Sequence, residues 1–247
     1  MGSMDVRFLG SGDTFGSGGR LQTCIHVHSG DTAFLIDCGA SSLIAMKRFG
    51  VDPSSIDAVL VTHLHGDHFG GIPFFVLDAQ LVSRRTRPLT VAGPPGLESR
   101  VHDAMEALFP GSSRARRRFD LGFVELPEGE ATGIGTRAVT PYGVVHPSGA
   151  PAYALRIECG GKVISYSGDT EWTDSLLLAA RDADLFVCEA YFFEKKIPYH
   201  LDYRTLMDHR SELGCRRLIL THMSEDMLHR LGDVEVERAE DGLSLTL

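Results

Sequence analysis

Apolar residues fall in short runs broken by glycine and serine, and the spacing within each run predicts its element. Residues 5–9, 22–28 and 33–37 read as strands separated by Gly-rich and Ser-rich turns, and residues 41–49 as helix. A strand at 58–62 enters a histidine-rich loop. Beyond it the pattern predicts helix at about 71–83, strand at 89–92, a Gly93-Pro94-Pro95-Gly96 turn and helix at about 97–109. Strands follow at 119–126, 136–140, 152–158 and 162–166, then helix at 173–181, strand at 184–188, helix at 202–213 and strand at 217–221, with 234–246 again strand-like.

Two of these strands end alike. Val59-Leu60-Val61-Thr62-His63 and Leu218-Ile219-Leu220-Thr221-His222 both stop at Thr-His, and Val163-Ile164-Ser165-Tyr166-Ser167-Gly168-Asp169 also ends in a side chain able to bind metal. Buried strands that each deliver one polar residue at the carboxyl end predict a shared rim on which a site is built. No linker, low-complexity tract or tandem repeat interrupts the chain, so residues 4–247 are read as a single domain. Met1-Gly2-Ser3 ahead of Met4 reads as a remnant of expression.

Composition narrows the class. A chain of 247 residues with 43% hydrophobic and 23% charged content suits a soluble globular protein with a sizeable core. The formal charge of -9 argues against a surface coated in phosphate-binding basic groups, although it permits a local basic groove. Cys24, Cys38, Cys159, Cys188 and Cys215 lie singly in apolar stretches with no Cys-x-x-Cys pair, and read as reduced thiols of a cytoplasmic protein. An 18-residue apolar run and a basic start leading into an apolar segment are both missing, which predicts neither a membrane span nor a secretory signal.

The densest chemistry is His63-Leu64-His65-Gly66-Asp67-His68, four metal-binding side chains in six residues directly behind a strand. Four such groups at this density cannot face one ion without strain, which predicts two metals, or one metal and a base. His63 and His65 are two apart in extended chain and can pinch one ion, while Asp67 and His68 turn toward a second. His146 and His222 are candidates for the missing third ligands, and Asp169 can place one oxygen on each metal. A water bridging two divalent ions about 3.5–4 Å apart ionises near neutral pH, so such a centre is built for hydrolysis.

The order His-x-His-x-Asp-His, distant His, bridging Asp, last His resembles the metallo-β-lactamase superfamily, and His63, His65, Asp67, His68, His146, Asp169 and His222 fill all seven positions. The resemblance runs from Phe8-Leu9-Gly10-Ser11-Gly12 and Leu35-Ile36-Asp37-Cys38-Gly39 through Ser167-Gly168-Asp169-Thr170 to Leu220-Thr221-His222-Met223. It implies an α/β fold of four layers, αββα, with the metals at one edge of two facing mixed sheets. Within the superfamily the chain is most similar to the ribonuclease Z group. Cys188-Glu189-Ala190-Tyr191-Phe192 resembles that group's His-Glu-Ala-Thr-Phe, and His200-Leu201-Asp202 its His-Ser-Thr. Carried over, His200 assists the phosphodiester leaving group and Glu189 orients it; with Asp67 these are the catalytic residues the resemblance implies.

Ribonuclease Z proteins that process tRNA carry a long Gly/Pro-rich arm between the third His and the bridging Asp. Only 22 residues separate His146 from Asp169 here, and two strands around Glu158-Cys159-Gly160-Gly161-Lys162 nearly fill them. The expected substrate is therefore a nucleotide, a cyclic phosphodiester or another compact ester. Two divalent ions are expected, zinc first, with manganese and iron also suited to the ligands.

Other readings of the same residues stay open. A lactonase or other carboxylic ester hydrolase uses the same centre on a carbonyl. An iron-dependent oxidoreductase of this fold typically uses one ion, against which the complete second set counts, and a non-catalytic relative is expected to have lost ligands, of which none is missing. Asp37 is expected to orient a ligand loop through backbone hydrogen bonds. The glycine-rich Gly10-Ser11-Gly12-Asp13-Thr14-Phe15-Gly16 precedes a strand rather than a helix, so it reads as a substrate-lining turn and no dinucleotide site. Two arginine clusters, Arg84, Arg85, Arg87 and Arg114, Arg116, Arg117, Arg118, lack interleaved aromatics and read as solvated faces, leaving nucleic acid a disfavoured partner. His26, His28, His102, His209 and His229 read as surface residues. The apolar Ile72-Pro73-Phe74-Phe75-Val76-Leu77 is either core or the interface of a homodimer.

Overall fold

Among the described residues, 3–247 in the computed structural model, fourteen strands divide equally between two sheets. Residues 1 and 2, part of the segment read as an expression remnant, lie outside the described residues. The first sheet has the order β14-β1-β2-β3-β4-β5-β6, from β1 (Met4–Gly10), β2 (Cys24–Ser29), β3 (Thr32–Ile36), β4 (Ala58–Leu60), β5 (Leu89–Gly93), β6 (Leu121–Glu125) and β14 (Ser244–Thr246). The second has the order β13-β12-β11-β10-β9-β8-β7, from β7 (Thr132–Ile134), β8 (Arg137–Val144), β9 (Ala152–Cys159), β10 (Lys162–Tyr166), β11 (Leu185–Glu189), β12 (Leu218–Thr221) and β13 (Glu237–Arg238).

Each sheet is half antiparallel and half parallel. Hairpin strands β1 to β3 pair antiparallel, with Ile25 opposite Ile36, and β3 to β6 run parallel. In the second sheet β7 to β10 are antiparallel and β10 to β13 parallel. Because parallel strands share a direction, β4, β10, β11 and β12 deliver their carboxyl ends, and the residues just beyond, to one rim.

Side-chain alternation sorts the apolar residues into three cores. Val6, Phe8, Leu60, Leu155, Ile157, Val187 and Ile219 fill the space between the sheets. Val59, Val61 and Leu35 point the other way, under α1 (Ser42–Arg48), α3 (Ile72–Leu81) and α4 (Leu97–Leu108). Leu218, Leu220 and Phe186 pack under α5 (Ser175–Ala180), α6 (Tyr203–Asp208) and α7 (Glu225–Leu228). The result is the expected αββα sandwich. A single-turn helix, α2 (Gly66–Phe69), carries the second half of the histidine motif.

The short α2, β7 and α7 lie outside the expected elements, and two expected elements differ in extent. The helix expected over 202–213 ends at Asp208 and continues only as a 3-10 turn at Arg210–Glu212; Asp202 caps its start by accepting from the Thr205 N–H at 2.9 Å. The strand-like ending is broken by a turn at Gly242, φ 92°, so that β13 joins the second sheet and β14 the first. Helix α3 is mostly core. Ile72, Pro73, Phe75 and Val76 are buried, while Phe74 reaches the surface.

Candidate metal centre

The loop after β4 presents His63, His65, Asp67 and His68; the loop after β8 presents His146; Asp169 follows β10, and His222 follows β12. These seven residues come together in two groups. His63, His65 and His146 converge on one point, and Asp67, His68, Asp169 and His222 on another, the ligand atoms of each group lying within 4.8 Å of one another. Asp169 stands between the groups. Its Oδ2 is 3.9 Å from His63 Nε2, 4.0 Å from His146 Nε2 and 3.4 Å from His222 Nε2, and its Oδ1 is 3.3 Å from His68 Nε2. Asp67 Oδ2 lies 3.3 Å from both His68 Nε2 and His222 Nε2.

The far ring nitrogens of His63, His68 and His146 are tied down, which fixes how these three imidazoles face the cluster, whereas His222 Nδ1 has no hydrogen-bond partner among the described residues. His68 Nδ1 donates to Asp37 Oδ2 at 2.6 Å, His63 Nδ1 lies 3.1 Å from Thr62 Oγ1, and His146 Nδ1 donates to the Tyr199 carbonyl at 2.8 Å. Asp37 also accepts from the Thr62 N–H and hydroxyl, both at 2.8 Å. It therefore orients a ligand ring directly as well as the loop backbone. Asp37, Tyr199 and His222 have positive φ (57°, 73° and 54°), unusual for residues with a Cβ, so the surrounding structure holds the backbone there against its local preference. Gly168 has φ 60°, and a Cβ on it would meet the Tyr153 carbonyl at 2.7 Å, so the turn that delivers Asp169 admits only glycine.

The electrostatics favour cations. Burial pushes His63 far below its ordinary pKa, and the neighbouring His68 adds to that. Burial opposes a charge on His222 too, yet the Asp169 carboxylate and the hydrogen bond to Asp67 outweigh it and push the pKa up to about 9. Asp67 is held well below the usual carboxylate range because His68 and His222 more than offset its burial. Among the described residues, His63 Nε2, His68 Nε2 and Asp169 Oδ1 are buried without a hydrogen-bond partner. Such orphaned polar atoms are expensive unless something binds them. An all-nitrogen-and-oxygen set with inward-facing unpaired atoms fits divalent metal ions.

Beside the cluster, His200 Nδ1 lies 3.0 Å from Glu189 Oε2, and Glu189 also accepts from the Thr170 N–H. Burial disfavours charge on His200, but the hydrogen bond and charge of Glu189 hold its pKa above the ordinary value. His200 lines a cavity of about 170 Å³ with Thr14, Phe15, His65, His146, Asp169, Tyr191 and His222. The turn read as substrate-lining thus reaches the site through Thr14 and Phe15. Its base is clamped by Asp241, whose carboxylate accepts from Ser11 N at 2.9 Å and Leu21 N at 2.7 Å. A larger open cavity of about 700 Å³, lined among others by Thr14, His65, Asp67, Phe74 and Leu108, adjoins it.

The arginine clusters stand apart from this arrangement. Arg85 is buried and spends its donors on the Arg87 and Pro88 carbonyls, and Arg117 donates to the Ser112 and Ser113 carbonyls. His209 stacks on Trp172 with ring centres 3.9 Å apart, His102 meets Phe123 edge-on, and His28 and His229 are exposed. His26 is half-buried, and its Nε2 has no partner among the described residues. Sequence reasoning missed Tyr191, which stacks on His200, and the Tyr199 carbonyl; a backbone acceptor leaves no trace in residue type.

An αββα sandwich with this histidine and aspartate rim is a metallo-β-lactamase fold. The metallo-β-lactamase fold protein YhfI from Bacillus subtilis superposes with a TM-score of 0.77 at 22% identity over 98% of this chain and 99% of that one, and human tRNase Z, short form, with 0.79 at 23% identity over 98% of both. Ribonuclease Z of Lachnoclostridium phytofermentans is 25% identical over 276 aligned positions, covering 91% of this chain and 88% of the relative. More narrowly, residues 4–238 match the family described as Anti-Pycsar protein Apyc1, and the chain belongs to that family. Among the described residues no helix is long and apolar enough to cross a membrane.

Proposed function

We propose that this protein is a metal-dependent phosphodiesterase acting on a small or nucleotide-like phosphodiester. His63, His65, His146 and Asp169 would hold one ion, and Asp67, His68, His222 and Asp169 the other. Zinc suits this set best, with manganese or iron as substitutes. Bound there, divalent ions supply Lewis acidity, activating a water and offsetting the charge that develops on phosphoryl oxygens.

The chain's own residues do the rest. Asp37, Thr62 and the Tyr199 carbonyl keep His68, His63 and His146 in the orientations that turn Nε2 toward the cluster, where that of His146 meets His65 Nδ1 at 3.0 Å. Glu189 fixes His200 through Nδ1 and favours its charged form, so that Nε2 donates to the departing alkoxide. This Glu189–His200 pair at the edge of the ligand cluster is the observation that carries the reading, because it sets together the two residues that match the ribonuclease Z pattern for assisting a phosphodiester leaving group.

Substrate size is read from the site's surroundings. The 22 residues between His146 and Asp169 are taken up by β9, the turn at Gly160-Gly161 and β10. The polar cavity of about 170 Å³ suits one phosphoryl group, and the adjoining apolar cavity with the 81% exposed Phe15 at its neighbour's mouth suits a base or similar flat group. Nucleic acid remains the disfavoured partner. We read residues 4–247 as a single domain of a cytoplasmic protein; a homodimer would use Phe74 and Leu81 of α3, the exposed apolar side chains on that helix.

The test measures hydrolysis of bis-p-nitrophenyl phosphate against a lactone panel, on one preparation of known metal content reconstituted in parallel with zinc and manganese. Diester turnover that depends on His200 supports the proposal. Lactone turnover with an inert diester overturns it in favour of a carboxylic ester hydrolase.

A further inference from the structure

His200 is gripped on two sides. Its edge is held by Glu189, and its face lies against the ring of Tyr191, with centroids 4.5 Å apart and planes 25° from parallel. An offset stack of this kind restrains a ring about the one rotation that an edge hydrogen bond leaves free. The His222 ring lies 5.9 Å from His200 and is nearly coplanar in orientation, at 12°, so rotation of His200 would carry it out of register with a metal-site residue.

Tyr191 itself is well anchored. Its N–H donates to the Leu201 carbonyl at 2.8 Å, closing the neck of the loop that leaves β11 and returns with His200. Its carbonyl accepts from the Ser224 N–H at 3.0 Å, just past His222. The phenol faces the buried Asp13, and burial together with the Asp13 charge pushes its pKa up to about 12. Asp13 is in turn held by the Ser17 N–H at 2.9 Å and hydroxyl at 2.8 Å. The backbone of Tyr191 thus ties the His200 loop to the turn after β12, while its phenol is set toward the turn after β1.

We propose that Tyr191 is a positioning residue for His200, holding the imidazole face-on so that Nε2 keeps a fixed line to the site cavity. The inference rests on the phosphodiesterase reading for what His200 does, but not for where the ring sits. Tyr191 occupies the place of threonine in the His-Glu-Ala-Thr-Phe pattern, and a threonine there offers no stacking face.

The test uses the full-length metal-loaded protein in four forms: wild type, Tyr191→Thr, Tyr191→Phe and His200→Ala, together with the Tyr191→Thr/His200→Ala double variant. With bis-p-nitrophenyl phosphate, Tyr191→Thr lowers kcat about tenfold with little change in KM, and Tyr191→Phe recovers most of that loss. The double variant is no slower than His200→Ala alone, because a residue acting through His200 has nothing left to position. Multiplying losses in the double variant overturn the proposal.

A second readout needs no turnover. In protein carrying ¹³C-labelled histidine, the His200 Cε1–H resonance, identified by its loss in His200→Ala, is shielded by the phenol ring. It moves downfield in Tyr191→Thr and stays near its original place in Tyr191→Phe. An unmoved resonance in Tyr191→Thr overturns the proposal. If wild type hydrolyses no diester, the phosphodiesterase reading fails while this resonance still decides the role of Tyr191.

Discussion

His68 Nδ1 and Asp37 Oδ2 meet at 2.6 Å with neither side chain exposed at all. Asp37 ends up there because β3 and β4 are parallel neighbours: the same residue that closes β3 reaches across to Thr62 and the histidine loop that follow β4. Removing it leaves a buried ring and a buried hydroxyl without their acceptor. Asp37→Ala is expected to cost about 3–5 kcal/mol of stability and to weaken metal retention about 10–100-fold. Urea denaturation and metal analysis after dialysis against a chelator measure the two effects; wild-type retention would contradict the orienting role.

Asp67 belongs to one of the two ligand groups and not to the other. Asp67→Ala is expected to lower bound metal from about two ions per chain to about one, read by plasma mass spectrometry on the purified protein. Unchanged stoichiometry would count against the division of ligands. Loss of both ions would mean that Asp67 supports the other group as well.

His200 is not among the ligands proposed for either ion, although its ring nitrogens also fall within reach of His146 and Asp169 and of Glu189 and His222, and it lines the same cavity. His200→Ala is expected to keep full metal content while diester turnover falls about 10²–10⁴-fold, the usual contribution of a placed proton donor. An emptied metal position in this variant would assign His200 to the ligands instead.

Away from the rim, His26 carries a prediction about acid stability. Burial, with His28 and Arg7 nearby, lowers its pKa to about 4. An unfolded chain protonates this group near its ordinary value of 6.5, so between about pH 6.5 and 4 the unfolded state binds the extra proton and stability falls as pH falls. Below pH 4 both states are protonated and the loss is complete, amounting to about 1–3 kcal/mol. His26→Gln should flatten the pH dependence of Tm in this window relative to wild type, while parallel curves would show that His26 does not titrate as described.

Much of this was legible in the residues. Four of the seven ligand positions stand in one compact motif, Asp169 and His222 at strand ends and His146 in a loop between strands, and a period of two in apolar strands fixes which face meets which core. Glu189 and His200 were legible only through the pattern that surrounds them. What stayed hidden depends on contacts between distant segments. Asp37 announces itself as a strand-end carboxylate, but its reach to His68 follows from strand order, which spacing does not encode. Tyr191 reads as one more aromatic after a strand, and its stack on His200 exists because the Leu201 carbonyl closes the loop between them. The 234–246 segment alternates apolar and polar residues only at its two ends, and the Asp241-Gly242 pair between them marks the turn at which the chain changes sheets.

The clamp of Asp241 on Ser11 and Leu21 joins residues 230 and 220 positions apart. The Ser11 carbonyl also accepts from the His222 N–H at 3.1 Å, so the long-range ties of this turn come from residues made about two hundred positions later. A ribosome making this chain releases the turn that bears Thr14 and Phe15 early, and the mouth of the site waits for those distant partners before it takes its shape.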